Sequence, residues 1–342
     1  MQNGSIISDE QDIVAVTVTY SRRWNFLHQS IASALGEGIR YALVVSNAAK
    51  DTIAEEAAKE FGAAVKVVDL PANTGSANGF KVGIEAAVAR GAEYILLLDD
   101  DNVLVPGALA ALAAAHADLA RSISRDRLAV LGFRPDHQPD IAAGLPLARV
   151  VPHPDSFFGF HLADIPFKFW RRTCLARRHY AGHLLPERVK LDVAPYSGMF
   201  FHRSVVENIG TPDPDLVLYG DDTEFSYRLT KAGGGIWLIP AARLSDLEAS
   251  WNIKDRFRSS FEGWLCGGED LRAYYGARNG AYFERHCRPH NSLVRAINRQ
   301  IYLLGLRFFA CRLSKMGRYQ LLRSAIADGE NRKLGVNTRF HL

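Results

Sequence analysis

Residues 94–102 read YILLLDDDN and place three adjacent carboxylates, Asp99, Asp100 and Asp101, at the end of an apolar run. The apolar residues predict a buried β-strand, and ligands of open α/β sheets bind beyond the carboxyl ends of such strands. If strand geometry persists, Asp99 and Asp101 lie on the same side, where two carboxylates can hold Mg²⁺ or Mn²⁺. The alternative is a helix-capping turn, for which one aspartate would suffice.

The segments around this stretch alternate in type, which predicts an α/β fold: a Rossmann-like, mostly parallel sheet with flanking helices. Apolar, β-branched runs predict strands at 12–20, 41–47, 65–70 and 94–100. Helices are predicted between and after them at 24–35, 52–62, 79–91 and 106–120. The carboxyl ends of the parallel strands should therefore meet at one edge of the sheet.

The middle of the chain is less regular. Residues 121–190 are rich in proline, histidine and aromatic residues without a clear period, and we interpret them as an insertion. Beyond them, 193–210 predicts a strand followed by a helix. A helix over 221–234 and a strand over 235–247 complete the pattern.

The composition is that of an ordinary globular protein, with 342 residues of which 48% are hydrophobic and 23% charged. No run of about 18 apolar residues predicts a membrane-spanning helix, and the first residues do not resemble a signal peptide. The four cysteines, Cys174, Cys266, Cys287 and Cys311, contain no CxxC pair, which argues against a zinc site or a disulfide framework. We therefore expect a cytoplasmic location.

The charge is unevenly distributed along the chain. From Arg272 onward there are 14 basic and three acidic residues, whereas the preceding part carries a net charge of −7. We interpret 1–250 as the main domain and 251–342 as a basic helical extension. Its apolar residues recur at helical spacing, which is typical of helices on membrane surfaces; they are Leu293, Ile297, Ile301, Leu304 and Phe308. The alternatives are packing on the main domain, a homo-oligomer, or nucleic-acid binding, for which no recognised motif is present.

A second acidic pair lies in YGDDTEF at 219–225. It precedes a predicted helix, so helix capping is again an alternative. Two aspartates exceed what a cap needs, and one could act as a general base on a hydroxyl group. With the first cluster, this pair indicates metal-assisted transfer from a nucleoside diphosphate. No Walker A motif is present and no GxGxxG follows the first strand, which disfavours ATPases and dinucleotide-dependent dehydrogenases; nucleotidyl transfer is a further alternative.

Several motifs in a fixed order resemble those of family 2 inverting glycosyltransferases of the GT-A fold, in the galactofuranosyltransferase and rhamnosyltransferase branch. The matching segments are VTVTYSRR, VVSNAAKD, NTGSANGFKVGI, LLLDDDN, the block YSGMFF to TKAGG, YYGARNGAYF and AIADGENRKLG. The resemblance implies a GT-A catalytic domain with a nucleotide-sugar-binding half at 1–120. It implies an acceptor and catalytic-base half at 190–250.

The resemblance also implies roles for individual residues. Contacts with the nucleotide and sugar are implied for Thr19, Tyr20, Arg22, Asn47, Asp51, Asn73, Gly75, Asn78, Asp99 and Asp100. Asp99 and Asp101 would bind Mn²⁺ or Mg²⁺. Asp222 would be the general base, and Asp221 and Glu224 would orient the acceptor. Where the family often has a metal-binding histidine, six residues after Pro240, this chain has Asp246, which is either a third ligand or a surface turn residue.

The activity implied is transfer of galactofuranose from UDP-galactofuranose to a hydroxyl group of a polysaccharide or lipid-linked glycan, in cell-surface glycan synthesis. The GDD form of the second motif favours galactofuranose, and rhamnose from dTDP-rhamnose is the alternative. An acceptor in the membrane would agree with peripheral binding of the basic helix to the inner face of the cytoplasmic membrane. No nucleic-acid partner is expected.

Overall fold

The structure is a computed structural model that describes residues 12–142, 145, 151–170, 185–248, 257 and 259–342. Its strands are β1 (Ile13–Thr19), β2 (Tyr41–Asn47), β3 (Val65–Leu70), β4 (Tyr94–Asp99), β5 (Asn102–Leu104), β6 (Leu128–Phe133), β7 (Val189–Leu191), β8 (Met199–His202) and β9 (Gly235–Asp246). The described part of the sheet has the order β3-β2-β1-β4-β8-β6-β9-β5, and β7 pairs with β9.

Twelve α-helices lie in the described residues. They are α1 (Trp24–Gly36), α2 (Ile53–Phe61), α3 (Gly75–Ala89), α4 (Ala108–Leu119), α5 (Pro139–Ala142), α6 (Ile165–Trp170), α7 (Ser204–Ile209), α8 (Asp221–Lys231), α9 (Ser260–Cys266), α10 (Asp270–Tyr282), α11 (Ser292–Arg312) and α12 (Met316–Glu330). None of them combines the length and apolarity needed to cross a bilayer.

The first four strands form the parallel half of the sheet, in which β1 pairs with both β2 and β4. Strand β8 is antiparallel to its neighbours β4 and β6, so the sheet as a whole is mixed. The apolar strands are buried on both faces, with one core on each side of the sheet. The α/β prediction is confirmed, and the parallel half brings the ends of β1, β2 and β4 to one edge.

The boundary of the proposed insertion differs from the prediction. Residues Leu128–Phe133, which we had placed in the insertion at 121–190, form strand β6 between β8 and β9. All six of its residues are buried, so neither polar alternation nor a helical period marks it as a strand. Residues 189–191 also belong to the sheet, as β7.

The basic extension is helical, as predicted, and packs around a third hydrophobic core. Helices α10, α11 and α12 pack around buried residues that include Tyr275, Tyr302 and Leu322. Phe157 and Val217 from the preceding part of the chain belong to the same core. Three of the cysteines are free thiols: Cys266, Cys287 and Cys311. The predicted boundary at 250/251, the N-terminal segment at 1–11 and Cys174 lie outside the described residues.

Candidate active site

The candidate site lies where the parallel strands end. Thr19 closes β1, Asn47 closes β2 and Asp99 closes β4, and the pairing register sets these ends side by side. Strand β9 approaches the same edge after a register shift, and its last residue, Asp246, pairs with Asn102 of β5. Polar residues at strand ends from both halves of the sheet therefore lie at the same edge.

Asp100 is buried, and its carboxylate is engaged within the protein. It accepts hydrogen bonds from Thr19 Oγ1 at 2.8 Å and from Arg23 Nε at 2.9 Å. Burial raises the pKa of Asp100, and the Arg23 and Thr19 bonds oppose this rise. The predicted contact of Thr19 and Asp100 with the nucleotide sugar thus has a competing structural role, in which both residues anchor the loop after β1.

Asp99 and Asp101 differ from Asp100 because they have fewer partners. Asp101 has an ion pair with Arg23 at 3.4 Å, and Asp99 has one with Arg134 at 3.6 Å. Limited hydration and neighbouring aspartates raise the pKa of Asp99 to about 7 and that of Asp101 to about 6. The Asp99 side chain is nevertheless 41% exposed, so water and ions reach it. Because these carboxylates lie close to one another and repel, binding of a cation between them would be electrostatically favourable.

Arg134 is a site residue that the sequence analysis missed. It directly follows β6, its side chain is only 6% exposed, and it contacts both Asp99 and Asp246. Its Nε atom is buried and has no hydrogen-bond partner. In the sequence, Arg134 directly follows the apolar run LAVLGF, as a residue at the end of a buried strand would. That run lies within the predicted insertion, so Arg134 is not among the predicted site residues.

Asp246 is less suited to a metal than predicted. One of its oxygens is bound by Arg134 and by Asn102 Nδ2, and the other lies 3.5 Å from His137 Nε2. Among the residues described, no group of three or more His, Cys, Asp or Glu side chains could hold a metal. Asp99 and Asp101 are the carboxylates of this cluster with the fewest partners, and carboxylate oxygens are the ligand type that a hard divalent cation prefers.

The predicted nucleotide loop is held together by Asn47. Its amide group donates to Asn73 Oδ1 and to the Gly75 carbonyl oxygen, both at 3.0 Å. Its oxygen accepts from the Thr74 amide at 2.9 Å, and Asn78 donates to Thr74 Oγ1 at 3.0 Å. Four residues predicted to bind the nucleotide are thus brought together at the start of α3: Asn47, Asn73, Gly75 and Asn78.

The remaining predicted nucleotide residues surround the start of α1. Asp51 accepts a hydrogen bond from the Trp24 amide at 3.0 Å and so holds the first turn of that helix. Tyr20 is exposed, and the Arg23 guanidinium lies 5.4 Å from the centre of its ring. Arg22 is exposed, whereas its neighbour Arg23 enters the site. Sequence alone could not tell which of the two adjacent arginines points inward.

The second acidic pair begins α8. Asp221 is buried and accepts a hydrogen bond from Ser76 Oγ at 2.9 Å, and burial together with the Asp222 charge raises its pKa to about 7. Burial also raises the pKa of Asp222, against hydrogen bonds from Thr223 and the positive charge of Arg134. The charge of Asp222 in turn raises the pKa of Asp99. The carboxylates of the two acidic clusters therefore lie close enough to interact electrostatically, and we call the region around them the crevice.

Glu224 is engaged elsewhere. It forms an ion pair with Arg228, one turn further along α8, and accepts two hydrogen bonds from Arg228 Nε, at 2.8 and 3.0 Å. Arg228 also donates to the carbonyl oxygens of Ile209 and Thr211. This network fastens α8 to the end of α7. The predicted role of Glu224 in orienting an acceptor gains no support from these contacts.

Comparison with curated proteins gives a partial match to one kind of enzyme. The chain is 29% identical over 165 residues to galactofuranosyltransferase GlfT1 of Mycobacterium tuberculosis, in strains CDC 1551 and H37Rv. The match covers 47% of this chain and 45% of the relative, so the chain spans less than half the length of the curated relatives it matches.

Comparison with solved structures supports the fold. GalNAc-T7 with UDP, GalNAc and Mn²⁺ superimposes with a TM-score of 0.51 at 14% identity, covering 85% of this chain and 54% of that one. S. aureus TarS 1–349 in complex with UDP-GlcNAc gives a TM-score of 0.50 at 12% identity, covering 93% and 80%.

A family model provides the identification. The model described as glycosyltransferase like family 2 matches residues 14–263, which is most of the chain and includes both acidic clusters. The mixed sheet, the helices on its faces and the helical C-terminal region agree with the GT-A fold of the solved structures. This chain is therefore a member of glycosyltransferase family 2.

Proposed function

We propose that this chain transfers galactofuranose from UDP-galactofuranose to a hydroxyl group of a glycan acceptor, with inversion at the anomeric carbon. The family supports sugar transfer, and the relative named as a galactofuranosyltransferase supports the sugar. The observation that carries the proposal is the proximity of Asp99 and Asp222, which belong to separate acidic clusters and are both near Arg134. An inverting transfer needs a leaving-group site and a base on opposite sides of the donor sugar.

In this proposal each side of the crevice has its own task. The loop built on Asn47 receives the nucleotide, and Asp99 and Asp101 would hold Mn²⁺ or Mg²⁺. When bound, the cation supplies positive charge that stabilises the departing diphosphate. Arg134 adds a fixed positive charge beside the same carboxylates. The structures of relatives with UDP, Mn²⁺ or UDP-GlcNAc agree with a nucleotide sugar as donor.

On the other side, Asp222 acts as the base. The acceptor oxygen attacks the anomeric carbon, the bond from that carbon to the diphosphate oxygen breaks, and the acceptor proton passes to the Asp222 carboxylate. The raised pKa of Asp222 suits this task because it makes the carboxylate a stronger base. Asp221 is fixed by Ser76 and keeps the start of α8 in place.

The base assignment is tested with Asp222→Asn. We expect kcat to fall by roughly 10²-fold or more, because general-base catalysis contributes about that much, while UDP affinity stays within about threefold. Glu207→Gln, an exposed acidic residue on α7, is the control and should leave kcat unchanged. Full transfer activity in Asp222→Asn would refute the assignment.

The donor is tested by comparing nucleotide sugars. Hydrolysis and transfer are measured with UDP-galactofuranose, dTDP-rhamnose and UDP-GlcNAc in the presence of Mn²⁺, and thermal shifts are compared for UDP and dTDP. We expect turnover with UDP-galactofuranose and a larger shift with UDP. Turnover with dTDP-rhamnose alone would leave sugar transfer in place and replace the proposed donor.

We also propose that the acceptor is reached at a membrane surface, through the outward face of α11. Leu293, Ile297, Leu304 and Phe308 are exposed on this face. At about 100° per residue they fall within about a quarter of the helix circumference, between the exposed Arg307 and Arg312. Residues 285–327 contain no acidic side chain, so the surface complements anionic lipid headgroups.

Vesicle co-sedimentation of the full chain tests this surface. We expect binding to vesicles containing anionic lipid, and a clear loss of binding in the double variant Leu304→Ser with Phe308→Ser. Val336→Ser, which alters an equally exposed apolar residue elsewhere, is the control. Equal binding by the double variant would refute the membrane role, as would a concentration-dependent dimer that the double variant abolishes without any effect on vesicles.

A further inference from the structure

The loop that leads into the catalytic pair has an unusual backbone. Val217 has a φ of 65°, Tyr219 of 61° and Gly220 of 79°. Two of these three residues carry side chains, which disfavour this left-handed region. A loop with such torsion angles persists only where its surroundings hold it, and it directly precedes Asp221 and Asp222.

Asn279 of α10 holds this loop from one side. Its Nδ2 atom lies 2.6 Å from the Leu216 carbonyl oxygen, 3.0 Å from that of Leu218 and 2.7 Å from that of Tyr219. The Asn279 side chain is 1% exposed, so water cannot replace these bonds. One side-chain NH2 group, with two hydrogens to share, thus lies within hydrogen-bond distance of three carbonyl groups of the loop.

Arg278 extends the same contact. Its guanidinium donates to the carbonyl oxygens of Asp215 at 3.2 Å and Leu216 at 3.0 Å, and to that of Gly335. Its Nε donates to Asn279 Oδ1 at 2.9 Å, which fixes the orientation of the Asn279 amide. The two residues therefore act together and connect the loop to the last part of the chain.

The nucleotide loop holds the opposite side. The Ala77 amide donates to the Val217 carbonyl oxygen at 3.2 Å. Gly75 approaches so closely that a Cβ atom there would lie 2.0 Å from the same oxygen. Ser76 binds Asp221, the residue that follows the loop. The loop is therefore enclosed between the start of α3 and the middle of α10.

We propose that Arg278 and Asn279 are positioning residues that fix the loop at 216–220 and, through it, the direction in which Asp222 faces the acceptor. This inference rests on the proposed role of Asp222 as the base. It gives the segment YYGARN a function, because its last two residues lie 56 or more positions after the catalytic pair in sequence and yet fix the loop that precedes it.

The test compares two buried asparagines of the C-terminal helices. Asn279→Ala removes the hydrogen bonds to the loop. Asn298 is equally buried, and Asn298→Ala removes hydrogen bonds to Asp155 and Leu162, away from the site. We expect Asn279→Ala to lower kcat by roughly 10- to 100-fold, with donor KM changed less than about threefold. Asn298→Ala should leave both within about twofold of the wild-type values.

Amide hydrogen exchange of the same variants gives a readout without substrate. Exchange at 217–222 should be faster in Asn279→Ala and unchanged in Asn298→Ala. If Asn279→Ala fails to fold, Asn279→Leu, which fills a similar volume without a charge and lacks the amide donors, takes its place. Unchanged exchange at the loop would overturn the inference. If exchange at 217–222 is faster in Asn279→Ala but the wild-type protein turns over no donor, the contact would be supported and the proposed function rejected.

Discussion

At the residue scale, Asp99, Asp100 and Asp101 are identical side chains in three surroundings. Asp100 is held by Thr19 and Arg23, whereas Asp99 and Asp101 remain available at the crevice. The sequence predicted an acidic site at the end of β4, and the structure has one. It did not predict which arginines neutralise that site, because the partner of Asp99 is Arg134, which follows a strand that is distant in sequence.

Arg134 should control the pH dependence of catalysis. Its charge favours the ionised form of Asp222, so Arg134→Gln should raise the pKa of that carboxyl further. Because the base must be deprotonated, the acidic limb of the pH profile of kcat/KM should move to higher pH, by roughly half a unit to one unit.

The matched control for this profile is Arg125→Gln, which alters an arginine outside the crevice whose ion pair with Glu93 is exposed. The acidic limb of the pH profile of Arg125→Gln should coincide with that of the wild-type protein. An acidic limb of Arg134→Gln at the wild-type position or at lower pH would contradict the assignment of Arg134 to the site.

At the element scale, the start of α3 and the loop before α8 are fitted to one another. Gly75 has a φ of 84° and lies against the Val217 carbonyl, whereas Gly107 has a φ of 87° with no atom within 4 Å of an added Cβ. At either position, substitution by alanine should lower the free energy of unfolding by about 1 kcal/mol because of the backbone conformation alone. Only Gly75→Ala should add a clash, worth about 1–3 kcal/mol.

Thermal unfolding of Gly75→Ala and Gly107→Ala measures the difference between the two costs. Gly75→Ala should have the lower melting temperature and should also lose most of its transfer activity, because the loop before Asp221 is displaced. Equal melting temperatures and equal activities of the two variants would show that the fit between the start of α3 and the loop before α8 affects neither stability nor activity.

Secondary structure was predictable wherever a strand and a helix alternate. Strands β1 to β4 and their helices lie close to the predicted segments because their apolar runs are separated by glycine and polar turns. Strand β6 was missed because its position depends on pairing with β8 and β9, which come much later in the chain. Helix α3 begins at Gly75 rather than at 79, one turn earlier than predicted, and this turn forms part of the nucleotide loop.

At the scale of the whole molecule, the C-terminal helices pack against the part of the chain that carries the candidate site. Phe157 and Val217 share a core with α10, α11 and α12, and Arg278 and Asn279 hold the loop. A protein cut after residue 250 should therefore lose cooperative unfolding and transfer activity, although it would keep all the strands that the structure describes.

Circular dichroism melting and UDP binding of such a fragment, beside the full chain, check this expectation. A fragment that melts cooperatively within a few degrees of the full chain and keeps its activity would contradict this expectation and show that 1–250 folds without the C-terminal helices. Deletion of 335–342 is a smaller truncation. It removes the contacts of Gly335 with Arg278 and Asp215, and those of Asn337 and Phe340 with the two tyrosines of α10, Tyr274 and Tyr275.

The contact between Gly335 and Arg278 has a consequence for the order of events during synthesis. The strand ends that would receive the nucleotide are complete once residue 102 has emerged, and N-terminal parts of a chain generally fold first. The loop before Asp221 acquires its last anchor only when residue 335 is available. During synthesis the nucleotide side of the site should thus be complete in sequence long before the loop that precedes Asp222 can be fixed.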